Sequence, residues 1–235
     1  MKQNLTVLKK AILGVGRRMY ERGYAASNDG NISARIDKHQ VLITPTGVSK
    51  GFMKSTDLII TDMKGKVVKG KRKPSTESLL HLQIYKARPE VMSVCHAHPP
   101  YATGFAVAGI PLDQNILPEV ILSLGSIPLV PYGTPGTEEF FQPLHPILKQ
   151  FDAFLLANHG ALTVGATVLD AYHKMETLEH FANILFVARH LGKVNTLNDK
   201  QIQLLIARRE VYGIRKNVGL VTNDDAQGRK SGRQG

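Results

Sequence analysis

Four short apolar segments in the first third of the chain constrain its fold more than any other sequence feature. They are rich in β-branched residues and follow one another closely, with polar turns at residues 37–40 and 62–65. Tight turns can join only antiparallel strands, because parallel neighbours need a long crossover connection. We therefore predict a mainly antiparallel sheet, and not a doubly wound sheet of the Rossmann type. The predicted strands cover residues 32–36, 41–44, 58–61 and 66–68.

Helical periodicity and buried runs account for most of the remaining chain. Apolar residues recur at helical spacing over residues 4–22, which predicts an amphipathic helix, and residues 168–191 are predicted to form the longest helix. Further helices are predicted over residues 74–88, 102–108, 119–124, 137–150 and 200–214, and further strands over residues 91–98, 127–130, 151–157 and 161–164. No repeat or interdomain linker interrupts this pattern. We therefore predict one α/β domain over residues 1–216, a three-layer sandwich with helices on both faces of its sheet.

Composition limits the cellular setting. Cys95 is the one cysteine of the chain, so an internal disulfide is excluded and a reducing compartment is favoured. No apolar run approaches the ~20 residues of a membrane span, and the N-terminus lacks the apolar core of a signal peptide. These features predict a cytoplasmic protein without a membrane partner.

The net charge of +11 is concentrated in two stretches. Residues 64–73 carry a run of cations without an acidic residue, and the basic segment 207–235 ends in a polar tail, residues 217–235, which we expect to be poorly ordered. Only one aromatic residue, Tyr212, is interleaved with these charges, which is too few for a base-stacking surface, so nucleic-acid binding is disfavoured. The charge is better suited to attracting anionic small substrates.

Histidines end two of the predicted buried strands. His96 and His98 project from one face, because alternate side chains of a strand share a face. His159 follows another buried strand directly and precedes Gly160. Three imidazoles converging at one sheet edge are typical of a catalytic zinc site. The alternative is that His96 and His98 are one surface and one core histidine that happen to be close. The other histidines lack this setting and are predicted to be surface or core residues: His39, His81, His145, His173, His180 and His190.

A carboxylate and several hydroxyls accompany the histidines. Glu77 lies in the first turn of a predicted helix, directly after Ser75 and Thr76. Free N–H groups and the positive dipole end at such a position suit a phosphate. Simple helix capping is the alternative interpretation, since Ser and Thr are common capping residues. Two other glycine-containing turns, around Asn31 and at residues 46–47, are also able to hold an anion.

Five motifs in sequence resemble those of the class II aldolase/adducin family. The resemblance covers roughly residues 5–192, and within the family it is strongest to the L-fuculose-1-phosphate aldolases. It implies an α/β/α sandwich with a nine-stranded, mainly antiparallel sheet, and a homotetramer with sites between subunits. The motifs are Gly30-Asn31-Ile32-Ser33, Leu42-Ile43-Thr44-Pro45-Thr46-Gly47, Pro74-Ser75-Thr76-Glu77, His96-Ala97-His98 and Asn158-His159-Gly160.

The resemblance also implies a role for each motif. It implies one Zn²⁺ per subunit held by His96, His98 and His159, with Glu77 as a fourth ligand in the resting site and as the general base. The substrate phosphate would be held by Asn31, Thr46, Gly47, Ser75 and Thr76. The implied reaction cleaves a short ketose or deoxyketose 1-phosphate to dihydroxyacetone phosphate and an aldehyde. Zn²⁺ replaces the Schiff-base lysine of other aldolases, and we expect no lysine in a buried setting that lowers its pKa.

One segment departs from the family pattern. A fuculose aldolase has a tyrosine proton donor in the segment that corresponds to residues 115–120, and this chain has none there. Glu119, or Tyr212 from a neighbouring subunit, is the candidate replacement, and Glu119 is alternatively a first-turn helix charge. A dehydratase, decarboxylase or 4-epimerase of a sugar phosphate is the alternative function, although the 4-epimerases carry Asp where this chain has Glu77. A non-enzymatic adducin-like scaffold is disfavoured, because every metal ligand is present.

Overall fold

One sheet of eight strands organises residues 3–212 and 219–220, the part of the chain that the computed structural model describes. The spatial order is β4-β3-β2-β1-β5-β8-β7-β6, and every neighbouring pair is antiparallel except the parallel pair β6–β7. The strands are β1 (Asn31–Arg35), β2 (Gln40–Ile43), β3 (Ile59–Asp62), β4 (Val67–Lys69), β5 (Ser93–Ala97), β6 (Leu129–Val130), β7 (Ala153–Leu156) and β8 (Gly160–Gly165). The predicted mainly antiparallel sheet is confirmed, with eight described strands where the family resemblance implies nine.

Helices cover both faces of this sheet, as the three-layer prediction requires. Alternate strand residues face two separate apolar cores, so that Cys95 packs with α1 and α5 while Val94 packs with α2. The helices are α1 (Leu5–Glu21), α2 (Ser78–Ala87), α3 (Pro100–Val107), α4 (Pro118–Ser123), α5 (Val168–Leu191) and α6 (Asp199–Ala207).

The helix predicted over residues 137–150 is wrong. The structure has only a short 3₁₀ helix, Glu138–Phe140, followed by turns up to residue 150. Pro143 and Pro146 explain the difference, because a proline within a helix removes a backbone donor and clashes with the preceding turn. The apolar residues of this segment are nevertheless buried: Phe140, Leu144 and Leu148 pack into the apolar core on the sheet face that α2 covers.

The C-terminal predictions fall partly outside the described residues. The helix predicted over residues 200–214 is α6 followed by a separate 3₁₀ helix, Arg209–Tyr212. Residues 213–218 and 221–235, which include the end of the predicted domain and most of the predicted tail, lie outside the described chain, as does the Tyr212 side chain. Gly219 is described: its N–H donates to the Gln150 carbonyl and its own carbonyl accepts from the Ser126 N–H. Within the described ranges, none of the helices combines the length and the apolar character needed to cross a membrane.

Candidate active site

Three imidazoles meet at the edge of the sheet where β5 ends and β7 turns into β8. The Nε2 atom of His96 lies 3.2 Å from Nε2 of His98 and 3.1 Å from Nε2 of His159. One ligand nitrogen from each ring falls within 4.8 Å of the other two. The structure therefore brings together the three histidines that the sequence predicts to converge.

The protonation pattern of this cluster suits a metal ion. Nδ1 of His96 lies 2.9 Å from the Ala161 carbonyl, which can only accept, so Nδ1 carries the proton and Nε2 keeps its lone pair. Burial lowers the pKa of His96 to about 3, so the ring is neutral. Two ligand nitrogens on a tetrahedral Zn²⁺ are about 3.3 Å apart, from Zn–N bonds of about 2.0–2.1 Å. The measured separations of 3.1 and 3.2 Å are close to this value, so the cluster fits such an ion.

Strand pairing and one glycine determine where the rings lie. In the β5–β8 pair, His96 lies opposite Leu162 and Ala97 lies opposite Ala161. Asn158 turns the chain between β7 and β8 with a positive φ of 55°. A Cβ atom on Gly160 would lie 2.5 Å from the Ala97 carbonyl oxygen and 2.6 Å from Cδ2 of His98. Only glycine therefore allows β8 to start against the His98 ring.

Glu77 completes the cluster as an oxygen donor. Its Oε1 lies 2.8 Å from Nε2 of His159, and its Oε2 lies 3.2 Å from Nε2 of His96. The Asn31 amide also donates to Oε2, at 2.5 Å. Burial raises the pKa of Glu77, but His96, His159 and Asn31 lower it by more, so that its pKa is well below the usual range. The site thus combines three imidazole nitrogens with one carboxylate.

Neighbouring groups orient two of the rings. Nδ1 of His98 lies 3.5 Å from a carboxylate oxygen of Asp29, which leaves Nε2 of His98 facing the cluster. The ring of Phe140 stacks on that of His159, with 5.2 Å between centroids. Such outer partners fix the tautomer and the orientation of metal-binding histidines. The sequence patterns do not predict this role of Asp29, although its position directly before Gly30-Asn31 is a usable signal.

Three polar loops lie beside the cluster, as expected for an anion site. The Asn31 amide lies 3.4 Å from the Ser75 hydroxyl, which also accepts from the Glu77 N–H at 3.3 Å. The Thr46 N–H donates to the Lys73 carbonyl at 3.1 Å, which joins the Thr46-Gly47 turn to the start of α2. Gly47 has a positive φ of 69°, as does Gly30 in the first loop.

The capping alternative does not describe Glu77. Glu77 occupies the position before the first residue of α2, but its side chain makes no capping hydrogen bond and faces the histidines instead.

Thr46, Gly47 and Thr76 are exposed and Ser75 is half-buried, so all of them are accessible to a ligand. The Asn31 Oδ1 atom is buried and has no partner within the described chain. An unsatisfied polar atom at this position is available to a bound group.

The structure does not join Glu119 to this cluster, and it does not describe the side chain of Tyr212, the other candidate proton donor. Glu119 is exposed in the first turn of α4, and across residues 3–212 no hydrogen bond or ion pair joins it to the histidines or Glu77. The backbone of Tyr212 ends the second 3₁₀ helix, while its side chain lies outside the described part. Among the other histidines, His81 is fully buried and bonded to Ser33, and the remaining ones are exposed at His39, His145, His173, His180 and His190.

A buried lysine is the second residue near the site that the sequence patterns do not predict. Lys50 is 2% exposed, and its Nζ donates to the carbonyls of Asn28 and Val48 at 2.8 and 2.9 Å. Burial lowers the pKa of Lys50 to about 8, although Asp29 and Glu77 raise it. The expectation that no lysine is buried with a lowered pKa is therefore wrong. Hydrophobic periodicity does not predict this burial, because Lys50 lies in a turn and its aliphatic stem is buried by tertiary contacts alone.

Comparison with known proteins agrees with this geometry. The family model of the class II aldolase and adducin N-terminal domain matches residues 10–186. A 3-oxo-tetronate 4-phosphate decarboxylase from Haemophilus influenzae is 35% identical over 200 residues, which cover 83% of this chain and 94% of that protein. An L-fuculose phosphate aldolase from Methanococcus maripaludis is 34% identical over 178 residues, which cover 74% and 94%. A solved L-fuculose 1-phosphate aldolase superposes with a TM-score of 0.81 at 29% identity, covering 89% of this chain and 98% of that one. The chain therefore belongs to the class II aldolase/adducin family.

Proposed function

We propose that this chain is a zinc-dependent aldolase that cleaves a short ketose or deoxyketose 1-phosphate to dihydroxyacetone phosphate and an aldehyde. One observation carries the proposal: three imidazole nitrogens and the Glu77 carboxylate converge within hydrogen-bonding distance, beside the loops around Asn31 and Ser75. The complete cluster also argues against a non-enzymatic scaffold.

The single thiol, Cys95, is buried, which supports the proposal that the enzyme acts in a reducing cytoplasm.

The donor set favours zinc as the metal. His96, His98 and His159 would supply three neutral nitrogens, and Glu77 would complete a tetrahedral resting site. Zn²⁺ bound there would polarise the substrate carbonyl and stabilise the negative charge that develops when the carbon–carbon bond breaks. Mn²⁺ or Co²⁺ accepts a similar ligand set, so metal content has to be measured.

Glu77 is proposed to move the proton of the reaction. Its low pKa keeps the carboxylate ionised, and the Asn31 amide holds one of its oxygens. In that form it can remove a proton from the carbon of dihydroxyacetone phosphate that takes part in the cleavage, and once protonated it can return that proton to the same carbon. The loops around Asn31, Thr46-Gly47 and Ser75-Thr76 would hold the phosphate through hydroxyls, the amide and backbone N–H groups.

Aldol cleavage also needs a group that accepts the proton of the hydroxyl that becomes the aldehyde oxygen. Glu119 is exposed and forms no hydrogen bond or ion pair with the cluster within the described part of its own chain, so we propose that it serves from a neighbouring subunit. The same is proposed for Tyr212. We therefore propose a homotetramer with sites between subunits.

Decarboxylation of a 3-oxo sugar-acid phosphate is the second candidate function. It would use the same cluster, because loss of CO₂ leaves the same kind of negative charge next to a carbonyl. CO₂ leaves from a carboxylate that is already ionised, so no group has to accept a hydroxyl proton. The absence of a tyrosine at residues 115–120 favours this reaction, as does the 35% identity to a 3-oxo-tetronate 4-phosphate decarboxylase.

A product assay distinguishes the two reactions. Purified protein would be incubated with a panel of ketose 1-phosphates and 3-oxo sugar-acid phosphates, with and without a chelator. Aldolase activity releases dihydroxyacetone phosphate and an aldehyde, whereas decarboxylation releases CO₂ and no aldehyde. Both are expected to stop when the metal is removed. Cleavage that survives chelation, or no cleavage of any compound in the panel, would contradict the proposed function.

A further inference from the structure

Lys50 lies where two loops of the proposed phosphate site meet. Lysine is seldom fully buried without a partner, yet this side chain is almost completely inaccessible. Its ammonium donates to the carbonyl of Asn28 in loop 27–31 and to that of Val48 in loop 44–48. The first of these loops contains Gly30-Asn31 and the second contains Thr46-Gly47. One buried cation therefore joins two of the loops proposed to hold the phosphate.

The backbone of Lys50 is fixed by close packing on α1. A Cβ atom on Gly16 would lie 2.9 Å from the Lys50 carbonyl oxygen, and one on Gly51 would lie 2.5 Å from the Tyr20 ring. The two glycines thus allow the chain around Lys50 to lie directly against the helix. Because both ends of the side chain are held, the ammonium has a defined position between the loops.

The charge of Lys50 changes with pH just above neutrality. Burial lowers its pKa to about 8, and the carboxylates of Asp29 and Glu77 oppose that effect. Lys50 also lines a groove of about 680 Å³ against α1, where the further charged residues are Lys9, Lys10 and Arg17. The ammonium is therefore charged at neutral pH and loses its proton as the pH rises through about 8.

We propose that Lys50 is a positioning residue of the phosphate site, where its ammonium holds loop 27–31 against loop 44–48 and attracts the substrate phosphate. The inference rests on the proposed function, which it deepens. Within the described chain the ammonium uses two of its three N–H donors on the loops, and because Lys50 is only 2% exposed, it acts on the phosphate through its charge and through the loops that it holds. Neutral Lys50 loses both the charge and part of the link between the loops. Anion binding should therefore weaken as the pH rises through about 8.

Sulfate is a suitable probe, because its charge does not change between pH 6 and 10 and any pH dependence of its binding belongs to the protein. The rise in unfolding temperature with sulfate, relative to chloride at equal ionic strength, gives the sulfate Kd. The variants are Lys50→Met, which keeps the length of the side chain, and the exposed neighbour Lys54→Met as the matched control. Ser75→Ala tests the phosphate site itself. Each titration is repeated after chelation, which removes any contribution from a metal-bound water.

We expect the wild-type Kd to weaken about tenfold between pH 7 and pH 9.5, and Lys54→Met to behave in the same way. Lys50→Met should bind sulfate about tenfold more weakly at pH 7 and show no further loss at pH 9.5. Wild-type affinity and pH dependence in Lys50→Met would overturn the inference while leaving the proposed function intact, provided that Ser75→Ala weakens binding. If Lys50→Met fails to fold, the wild-type profile decides, and a flat profile overturns the inference. Absence of saturable sulfate binding in the wild type would contradict the phosphate site as well.

Discussion

Glu77 is the residue on which the proposed chemistry depends most. Glu77→Gln keeps the shape of the side chain and one acceptor oxygen for the Asn31 amide, so we expect the variant to fold and to retain the metal. It cannot accept a proton as a carboxylate does. Turnover should therefore fall about 10²–10⁴-fold, the usual contribution of a general base.

Steady-state kinetics with paired metal analysis would check this expectation. Glu21→Gln is the control, since Glu21 is exposed and forms a surface ion pair with Arg17. The control should keep normal turnover. Near-normal turnover in Glu77→Gln would remove Glu77 from the mechanism.

Gly160 offers a test of how closely the site is packed. In Gly160→Ala the new methyl group would overlap Cδ2 of His98 and the Ala97 carbonyl, so the ring must move away from the cluster. We expect a clear loss of metal affinity, measured by competition with a chelator. Gly104→Ala, in α3 with no atom within 4 Å of the new Cβ, should bind metal normally and gain about 0.5–1 kcal/mol of stability. Unchanged metal affinity in Gly160→Ala would show that the His98 ring is not a ligand.

At the residue scale, the sequence predicts the convergence of the three histidines better than it predicts their surroundings. His96, His98 and His159 could be predicted to converge because strand periodicity and strand ends are local properties of the chain. Lys50 could not be identified in this way. Its burial depends on close packing between α1 and a turn, and that contact cannot be predicted from the hydropathy or the spacing of residues in the sequence.

Among the elements, α3 depends on a group from another helix. Its N-terminal position is Pro99, which makes no capping bond. Instead the Glu179 carboxylate of α5 accepts from the N–H groups of Tyr101 and Ala102, at 3.0 and 2.8 Å. Because α3 begins directly after His98-Pro99, this contact fixes the turn that leaves the histidine cluster. Glu179 therefore connects α5 to the geometry of the site.

Removal of this cap should destabilise the protein. Glu179→Ala leaves two backbone donors unpaired, and we expect it to lower the free energy of unfolding by about 1–3 kcal/mol, measured by urea unfolding. The next residue, His180, is exposed on the same helix. His180→Ala should change stability by no more than about 0.5 kcal/mol. Equal stability of the two variants would show that the cap contributes nothing.

The sequence predicted most strands and helices but misjudged one element for an identifiable reason. Alternating and helical patterns located α1, α2, α5 and the strands of the first hairpins. Residues 137–150 have a helical apolar spacing and an acidic first turn, yet they form only a 3₁₀ turn and loops. Pro143 and Pro146 should have outweighed the spacing, since they remove donors that a helix needs.

At the scale of the whole molecule, the proposed tetramer places Glu119 in the site of a neighbouring subunit. A complementation experiment tests this arrangement. Glu77→Gln and Glu119→Gln should each have low activity, and subunits dissociated, mixed and reassembled should regain part of the wild-type activity. Recovery follows because some interfaces then combine an intact Glu77 with an intact Glu119. No recovery, together with full activity of Glu119→Gln alone, would exclude Glu119 as the missing acid.

The metal content of the purified protein tests the central claim most directly. Elemental analysis should find one zinc per chain in the wild type. In His159→Ala it should find far less, because one of three converging nitrogens is lost. A wild-type protein without bound metal, or stoichiometric zinc in His159→Ala, would contradict the account of this site.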